Sequence, residues 1–249
     1  MLHLAHISDT HVSELGKSVD GLNTRKKFRD TLEVLKKRSP DGIILTGDLA
    51  QPQGSATVYK WMKERLDALE IPYIITPGNH DNSSLLIETF NLKNEAPHVI
   101  LTGLVVMKGE PLLFLESAEE KLKENQSKWL LQEMKGQTQK CILFMHHPPC
   151  VCNVPFMDNN YPYKTPEFFQ KTVKESGKDL TIFCGHYHVE KELTEQSVPM
   201  KVYITPPTLG CLDPDCDEYQ ISDPRTGWRE IHIEKHQVLE TSCYYLEDL

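Results

Sequence analysis

Gly42-Ile43-Ile44-Leu45-Thr46-Gly47-Asp48 is the stretch that decides the fold. A short unbroken apolar run is how a strand buried on both faces of a sheet reads, and the glycine and carboxylate that follow mark the exit from the sheet. The same event recurs four more times. Leu2–Ile7 leads to Asp9 and His11, and Pro72–Thr76 to Gly78-Asn79-His80-Asp81. Cys141–Met145 leads to His146-His147-Pro148-Pro149, and Leu180–Cys184 to Gly185-His186-Tyr187-His188. Open α/β sheets gather their chemistry beyond the carboxyl ends of the strands. The pattern therefore predicts an α/β fold in which five strand ends converge on one site.

The segments between these runs support it. Thr24 is placed to cap a helix reaching Arg38, with Phe28, Leu32 and Leu35 on its inward face. A second helix is expected from Ser55 to Leu69, with Val58, Met62 and Leu66 inward. Strand, helix, strand, helix, strand implies parallel pairing, which puts the strand ends on one edge. Val99–Met107 and Pro111–Glu116 read as an antiparallel hairpin turned at Lys108-Gly109-Glu110. A helix over Asn125–Lys135 follows. Cys150–Tyr163 reads as a loop, and Thr165-Pro166-Glu167 as a helix start with proline at its first position. Lys201–Thr205, Tyr219–Ser222 and Trp228–Ile233 read as further strands. With no repeat and no linker, residues 1–249 are read as one domain.

Composition narrows the class. The chain has 249 residues, a hydrophobic fraction of 39% and a net charge of −9. An acidic chain without a basic stripe is a poor partner for long nucleic acid. No run approaches the roughly 20 apolar residues a membrane span needs, and no secretory signal is read at the N-terminus. Seven cysteines, an odd number with Cys141 and Cys184 in expected strands, suggest reduced thiols in a cytoplasm. Cys150-x-Cys152 is spaced too tightly for an ordinary zinc pair and reads as free thiols on a loop.

The residue types at the strand ends suit two metal ions. Asp9 and His11 lie two apart, as do His186 and His188, so an extended backbone would aim each pair to one side. Asp48 can bridge two ions with its two oxygens, Asn79 offers an amide oxygen, and His146 adds an imidazole. Iron, manganese or zinc suits this set better than calcium. Two divalent ions outweigh the two aspartates and a bridging hydroxide, leaving a site that attracts a phosphodiester anion. His80, next to Asn79, is placed to protonate the departing oxygen. His147 reads as a neighbour of the site, and His3, His6, His98, His232 and His236 as structural or solvated.

Asp9-x-His11, Gly47-Asp48, Gly78-Asn79-His80-Asp81, His146 and Gly185-His186-x-His188 resemble the signature of the calcineurin-like metallophosphoesterases. Gly21-Leu22-Asn23-Thr24, Gly47-Asp48-Leu49-Ala50-Gln51, His146-His147-Pro148-Pro149, Thr205-Pro206-Pro207-Thr208 and Gly227-Trp228-Arg229 resemble the class III bacterial 3′,5′-cyclic AMP phosphodiesterases, the CpdA or Icc type. The resemblance implies a four-layer α/β/β/α sandwich with a dinuclear centre of iron, manganese or both, zinc being the third choice. It implies that Asp9, His11, Asp48 and His188 hold one ion, that Asp48, Asn79, His146 and His186 hold the other, and that dimers are common. The implied reaction opens a 3′,5′-cyclic nucleotide to a 5′-monophosphate by in-line attack of a bridging hydroxide, with Asp48 and His80 at the reacting atoms. Glycerophosphodiesters or 2′,3′-cyclic nucleotides are the alternative substrates. The departure is the segment after Ser117, which passes at once into Ala118-Glu119-Glu120-Lys121 where relatives continue through a glycine-containing loop. A scaffold that kept the fold without catalysis should have lost one of these residues, and none is missing.

Overall fold

The computed structural model describes residues 1–91 and 96–246. In chain order they form β1 (Leu2–Ile7), α1 (Thr24–Arg38), β2 (Gly42–Thr46), α2 (Ala56–Asp67), β3 (Tyr73–Thr76), α3 (Ser83–Phe90), β4 (Thr102–Met107) and β5 (Glu110–Leu115). Then come α4 (Glu124–Gly136), β6 (Lys140–Phe144), α5 (Pro155–Asn160), α6 (Pro166–Ser176), β7 (Asp179–Cys184), β8 (Lys191–Glu195) and β9 (Met200–Ile204). A short ribbon of β10 (Cys211–Leu212) and β11 (Ile221–Asp223) precedes β12 (Gly227–Glu234) and β13 (Gln237–Tyr245).

Two sheets position the site. The first runs β13-β12-β1-β2-β3 and the second β4-β5-β6-β7-β9-β8. β1, β2 and β3 are parallel, as are β5, β6, β7 and β9. Side chains alternate across a strand, and here both faces are buried, which is why the sequence shows continuous apolar runs. Ala5, Ile7, Ile43 and Leu45 face outward onto Phe28, Leu32 and Leu35 of α1 and Val58, Met62 and Leu66 of α2. Leu113, Leu143 and Ile182 of the second sheet are covered by Leu130 and Met134 of α4 and by Phe169 and Val173 of α6. Between the sheets, Leu2, Leu4 and Ile44 meet Phe114, Phe144, Phe183 and Tyr203. The result is the four-layer α/β/β/α sandwich.

The inner face of the second sheet carries a ladder that periodicity does not announce. Phe114, Phe144, Phe183 and Tyr203 stand opposite one another on β5, β6, β7 and β9. Their rings stack with centroids 5.5, 5.4 and 5.2 Å apart. Each aromatic pair adds about 0.5–1.5 kcal/mol beyond the area it buries. Because all four strands end just beyond this ladder, it fixes the height at which the second sheet's loops begin.

Several local expectations are corrected. Asn23, not Thr24, caps α1: its side chain accepts from Lys26 N, while Thr24 Oγ1 accepts from Ser13 N. The expected strand at Val99 begins only at Thr102, because Val99 bridges to Ile75 beside β3. Cys150–Tyr163 is not all loop, since it contains α5, whose six residues are too few to show a helical period. Cys150 and Cys152 are free thiols on a loop, as read, and both side chains are buried in the core of the second sheet's outer face. All seven cysteines are unpaired. Among the described residues no helix is long and apolar enough to cross a membrane.

Candidate metal centre

Each parallel strand that supplies a candidate ligand stops two or three residues before it, and the loops beyond are laced together by backbone hydrogen bonds. Asp9 N donates to Gly47 O, His11 N to Asp48 O and Val12 N to Leu49 O, at 2.8–3.2 Å. On the other sheet Gly185 N donates to His146 O at 3.0 Å. The two halves are joined where Thr208 N and Leu209 N donate to the carbonyls of Ser8 and Asp9. Residues from both sheets are thereby held in one layer.

The backbone that achieves this is not extended. Asp9, His11, Asp48, His186 and His188 all have positive φ, between 40° and 67°. The spacing argument from alternating strand residues therefore fails in its premise: each pair is aimed by a left-handed turn. Asp and His are among the few residues besides glycine that tolerate that region. Gly47 and Gly185 are required by close approach. A Cβ on Gly47 would lie 2.4 Å from Gly78 N, and one on Gly185 would lie 1.8 Å from Ser8 Oγ and 2.3 Å from Asp9 Oδ2.

Asp9, His11, Asp48, His146, His186 and His188 are all buried, Asn79 is exposed at the rim, and His80 is half-buried. His11 Nε2 lies 3.0 Å from His188 Nε2 and 3.8 Å from Asp48 Oδ2. His188 Nε2 lies 3.4 Å from Asp9 Oδ1. On the other side of Asp48, its Oδ2 is 3.3 Å from His146 Nε2, and the rings of His146 and His186 are 5.0 Å apart. His186 N donates to both Asp9 oxygens, at 3.1 and 3.0 Å. Candidate ligand atoms of Asp9, His11 and His188, of Asp9, Asp48 and His146, and of His146, His147 and His186 each gather within 4.8 Å. Asn79 shares the rim of the same cleft with Asp48, His80 and His186.

These residues fit metal ions. His146 Nε2, which faces Asp48, is buried without a hydrogen bond, a costly condition unless a ligand is bound nearby. Two ring nitrogens each about 2.1 Å from one ion at right angles stand about 3.0 Å apart, the spacing of His11 and His188. The other ring nitrogens of two of these histidines are tied back: His146 Nδ1 donates to Thr46 O at 2.6 Å, and His11 Nδ1 meets Gln51 Oε1 at 3.0 Å. Such partners fix the tautomer and aim the other nitrogen inward.

The electrostatics agree. Burial alone would raise the Asp48 carboxyl, but His146, His11 and His80 hold it well below the ordinary carboxylate range. Burial is likewise overcome at Asp9 by His188 and His146. Burial and neighbouring imidazoles lower His11 to about 4 and His186 to about 3, so both offer neutral lone pairs. His146 goes the other way: against burial, Asp48 and Asp9 carry it up to about 9.

Four supporting residues escaped the sequence reading of roles. Asp81 accepts from Leu49 N, Gly78 N and Tyr59 OH, so it ties the Asp48 loop to the Asn79 loop. Burial and Asp48 push its carboxyl up to about 6. Thr46 and Gln51 orient two imidazoles as above. Ser117 accepts from His147 N at 3.1 Å and lies 3.0 Å from His147 Nδ1. His147 is thus closer to the centre than its sequence context implied, with its ring 4.0 Å from that of His186. All four lie inside or beside quoted motifs, which was the only signal available.

A four-layer sandwich with an aspartate and histidine cluster at its strand ends is a metallophosphoesterase. The model of the calcineurin-like phosphoesterase family matches residues 2–190, and the chain belongs to that family as a phosphoric diester hydrolase. A probable cyclic nucleotide phosphodiesterase of Fibrobacter succinogenes is 31% identical over 98% of this chain and 94% of its own length. The 3′,5′-cyclic adenosine monophosphate phosphodiesterase CpdA of Escherichia coli K12 is 25% identical over 99% of this chain and 90% of its own. Among solved structures, a dimetal phosphatase from Danio rerio superimposes with a TM-score of 0.67 over 98% of this chain and 99% of its own, at 11% identity. At that identity the likeness concerns the fold alone.

Proposed function

We propose that the chain hydrolyses 3′,5′-cyclic nucleotides, cyclic AMP first among them, to 5′-monophosphates. In this reading Asp9, His11, Asp48 and His188 hold one ion, and Asp48, Asn79, His146 and His186 the other. The single observation that carries it is Asp48, whose Oδ2 stands between His11 Nε2 at 3.8 Å and His146 Nε2 at 3.3 Å, one carboxylate shared by two histidine groups. Near full-length similarity to proteins named as cyclic nucleotide phosphodiesterases supports the substrate class. When bound, two divalent ions would lower the pKa of a shared water and clamp the ester oxygens. Iron or manganese suits the oxygen and imidazole donors best, with zinc next. The inter-sheet core draws on both sheets, which supports reading the chain as one domain.

The chain's own residues do the rest. His80 N donates to Asp48 Oδ1 at 2.9 Å, so the same carboxylate that anchors the cluster sets the place of His80. His80 Nδ1 lies 2.8 Å from Pro52 O, an acceptor that keeps a proton on Nδ1. The protonated ring can then give its Nε2 proton to the departing O3′. The acid matters because an alkoxide leaves poorly, and such help is worth about 10²–10⁴-fold.

The test is kcat/KM of the manganese-loaded protein on cyclic AMP and on bis-p-nitrophenyl phosphate. Turnover of both is expected, with His80→Ala costing about 10²–10⁴-fold on cyclic AMP and much less on the diester whose leaving group needs no proton. Turnover of the activated diester alone would remove cyclic nucleotides as substrates. Equal losses on both would remove His80 as the acid.

A further inference from the structure

The cluster lines part of a cleft of about 500 Å³, a size suited to a small organic ligand rather than a bare phosphate. The same cleft is also lined by Phe156, Tyr161 and Tyr219. Phe156 is the middle ring, with its centroid 5.9 Å from that of Tyr161 and 5.8 Å from that of Tyr219, both in edge-to-face arrangement. Tyr161 and Tyr219 are 47% and 49% exposed. Aromatic area left facing a cleft is unfavourable until something flat and apolar covers it.

This aromatic lining is built, not draped. Asp158 of α5 accepts from Cys152 N at 3.1 Å, Val154 N at 2.9 Å and Tyr187 OH at 2.9 Å, so it pins the helix to the residue between His186 and His188. Phe156 N donates to Cys216 O at 3.3 Å, joining the helix to the segment that carries Tyr219. Tyr219 OH in turn donates to Asp20 Oδ2 at 2.7 Å, which fixes its ring from the far side. The carbonyl of Tyr161 lies 3.1 Å from His186 Nε2, so the aromatic row starts directly beside the candidate metal ligands.

We propose that Phe156, Tyr161 and Tyr219 form a shelf on which the nucleobase of the substrate stacks while its phosphate lies at the Asp48 cluster. The proposal rests on the cyclic nucleotide reading and adds to it the residues that tell a nucleotide from a diester without a base. A glycerol group offers no flat face to such a row, whereas every nucleobase does. Asp20, held by Tyr219, places an acceptor beside the shelf that can also meet an exocyclic amine.

The test is isothermal titration of the manganese-loaded protein with 5′-AMP, ribose 5-phosphate and phosphocholine, for the native protein and for Phe156→Ala, Tyr219→Ala and Tyr219→Phe. The expected result is that 5′-AMP binds about tenfold or more tighter than ribose 5-phosphate. Both alanine variants should lose most of that margin, with ribose 5-phosphate unchanged as the proof of an intact fold, and Tyr219→Phe should lose little. The proposal is overturned if 5′-AMP gains nothing over ribose 5-phosphate, including no binding of either. It is equally overturned if the alanine variants leave the margin intact, or if phosphocholine is the ligand that responds to them. Cyclic AMP turnover is read separately. Turnover without a base margin removes the shelf and keeps the cyclic nucleotide reading, and a base margin without turnover does the reverse.

Discussion

The two ends of β1 carry clusters of the same residue types with opposite fates. At the carboxyl end stand Asp9, His11 and His188; at the amino end stand His3, Glu230 and His232, whose ligand atoms gather within the same 4.8 Å. At the amino end, however, the strand pairing is regular, with His3 opposite His232 and Ala5 opposite Glu230. Glu230 is already spent: it pairs with Arg38, accepts from Trp228 Nε1 at 3.3 Å and meets His3 Nε2 at 3.0 Å. The rings of His3 and His232 stack 4.5 Å apart. His232 Nδ1 is buried without a partner, just as His188 Nδ1 is, so an orphan nitrogen alone does not mark a metal site. What separates the ends is a cation, Arg38, already paired with the Glu230 carboxylate, against an end where five positive-φ residues and two obligatory glycines bring carboxylates and imidazoles together with no cation among them.

That contrast can be broken or sharpened by mutation. The largest effect is expected from Asp48→Asn, which should lower turnover by at least about a thousandfold and reduce the metal retained after dialysis, measured by elemental analysis. Retained metal with full turnover would show that the shared carboxylate is not what distinguishes the upper cluster. Next, Glu230→Ala should leave metal content and kcat/KM unchanged while costing about 3 kcal/mol in urea unfolding, because it strands Arg38 in a largely buried pair. A drop in bound metal would make the lower cluster a second site and end the comparison.

The smallest effect concerns His6, between the two ends. Its ring is buried, within 2.8 Å of Thr46 Oγ1 and 2.6 Å of Thr205 Oγ1, and burial lowers it to about 3, with Arg229 adding to the shift. The unfolded chain binds this proton near pH 6.5, so the stability is fully present above that pH and is lost as pH falls toward 3. Between pH 6.5 and 5 the native protein should lose about 2 kcal/mol through His6. Urea unfolding at pH 7 and pH 5 should show that loss removed in His6→Gln. An identical pH dependence in the variant would mean that His6 titrates normally.

Much of this was legible in the sequence, for identifiable reasons. The buried strands announced themselves because both faces are covered, and α1 and α2 because Phe28, Leu32 and Leu35, and Val58, Met62 and Leu66, keep a helical period. The candidate ligands stood where the apolar runs stopped. The rest depends on what pattern does not encode. Edge strand β13 is half-exposed and mixes polar with apolar residues on both faces, so Gln237–Tyr245 shows no unbroken apolar run. The left-handed turns at Asp9 and Asp48 arise from hydrogen bonds to another loop. Phe156 and Tyr219 meet only because α5 and the 213–219 segment are brought together, and neither has a signal of its own.

The left-handed backbone at Asp9, His11, Asp48, His186 and His188 also restricts what can replace them. A position of this kind screens a substituent twice, once for its donor atom and once for its tolerance of the turn, and the second screen costs most ordinary residues about 1–2 kcal/mol. Glutamate or cysteine could bind a divalent ion as well as histidine does, yet each would start from a strained main chain. The alphabet open to drift at these five positions is therefore shorter than metal chemistry alone would set. Glycine and asparagine, the substitutes the turn accepts most easily, would preserve the fold or even stabilise it while discarding the imidazole or the carboxylate charge.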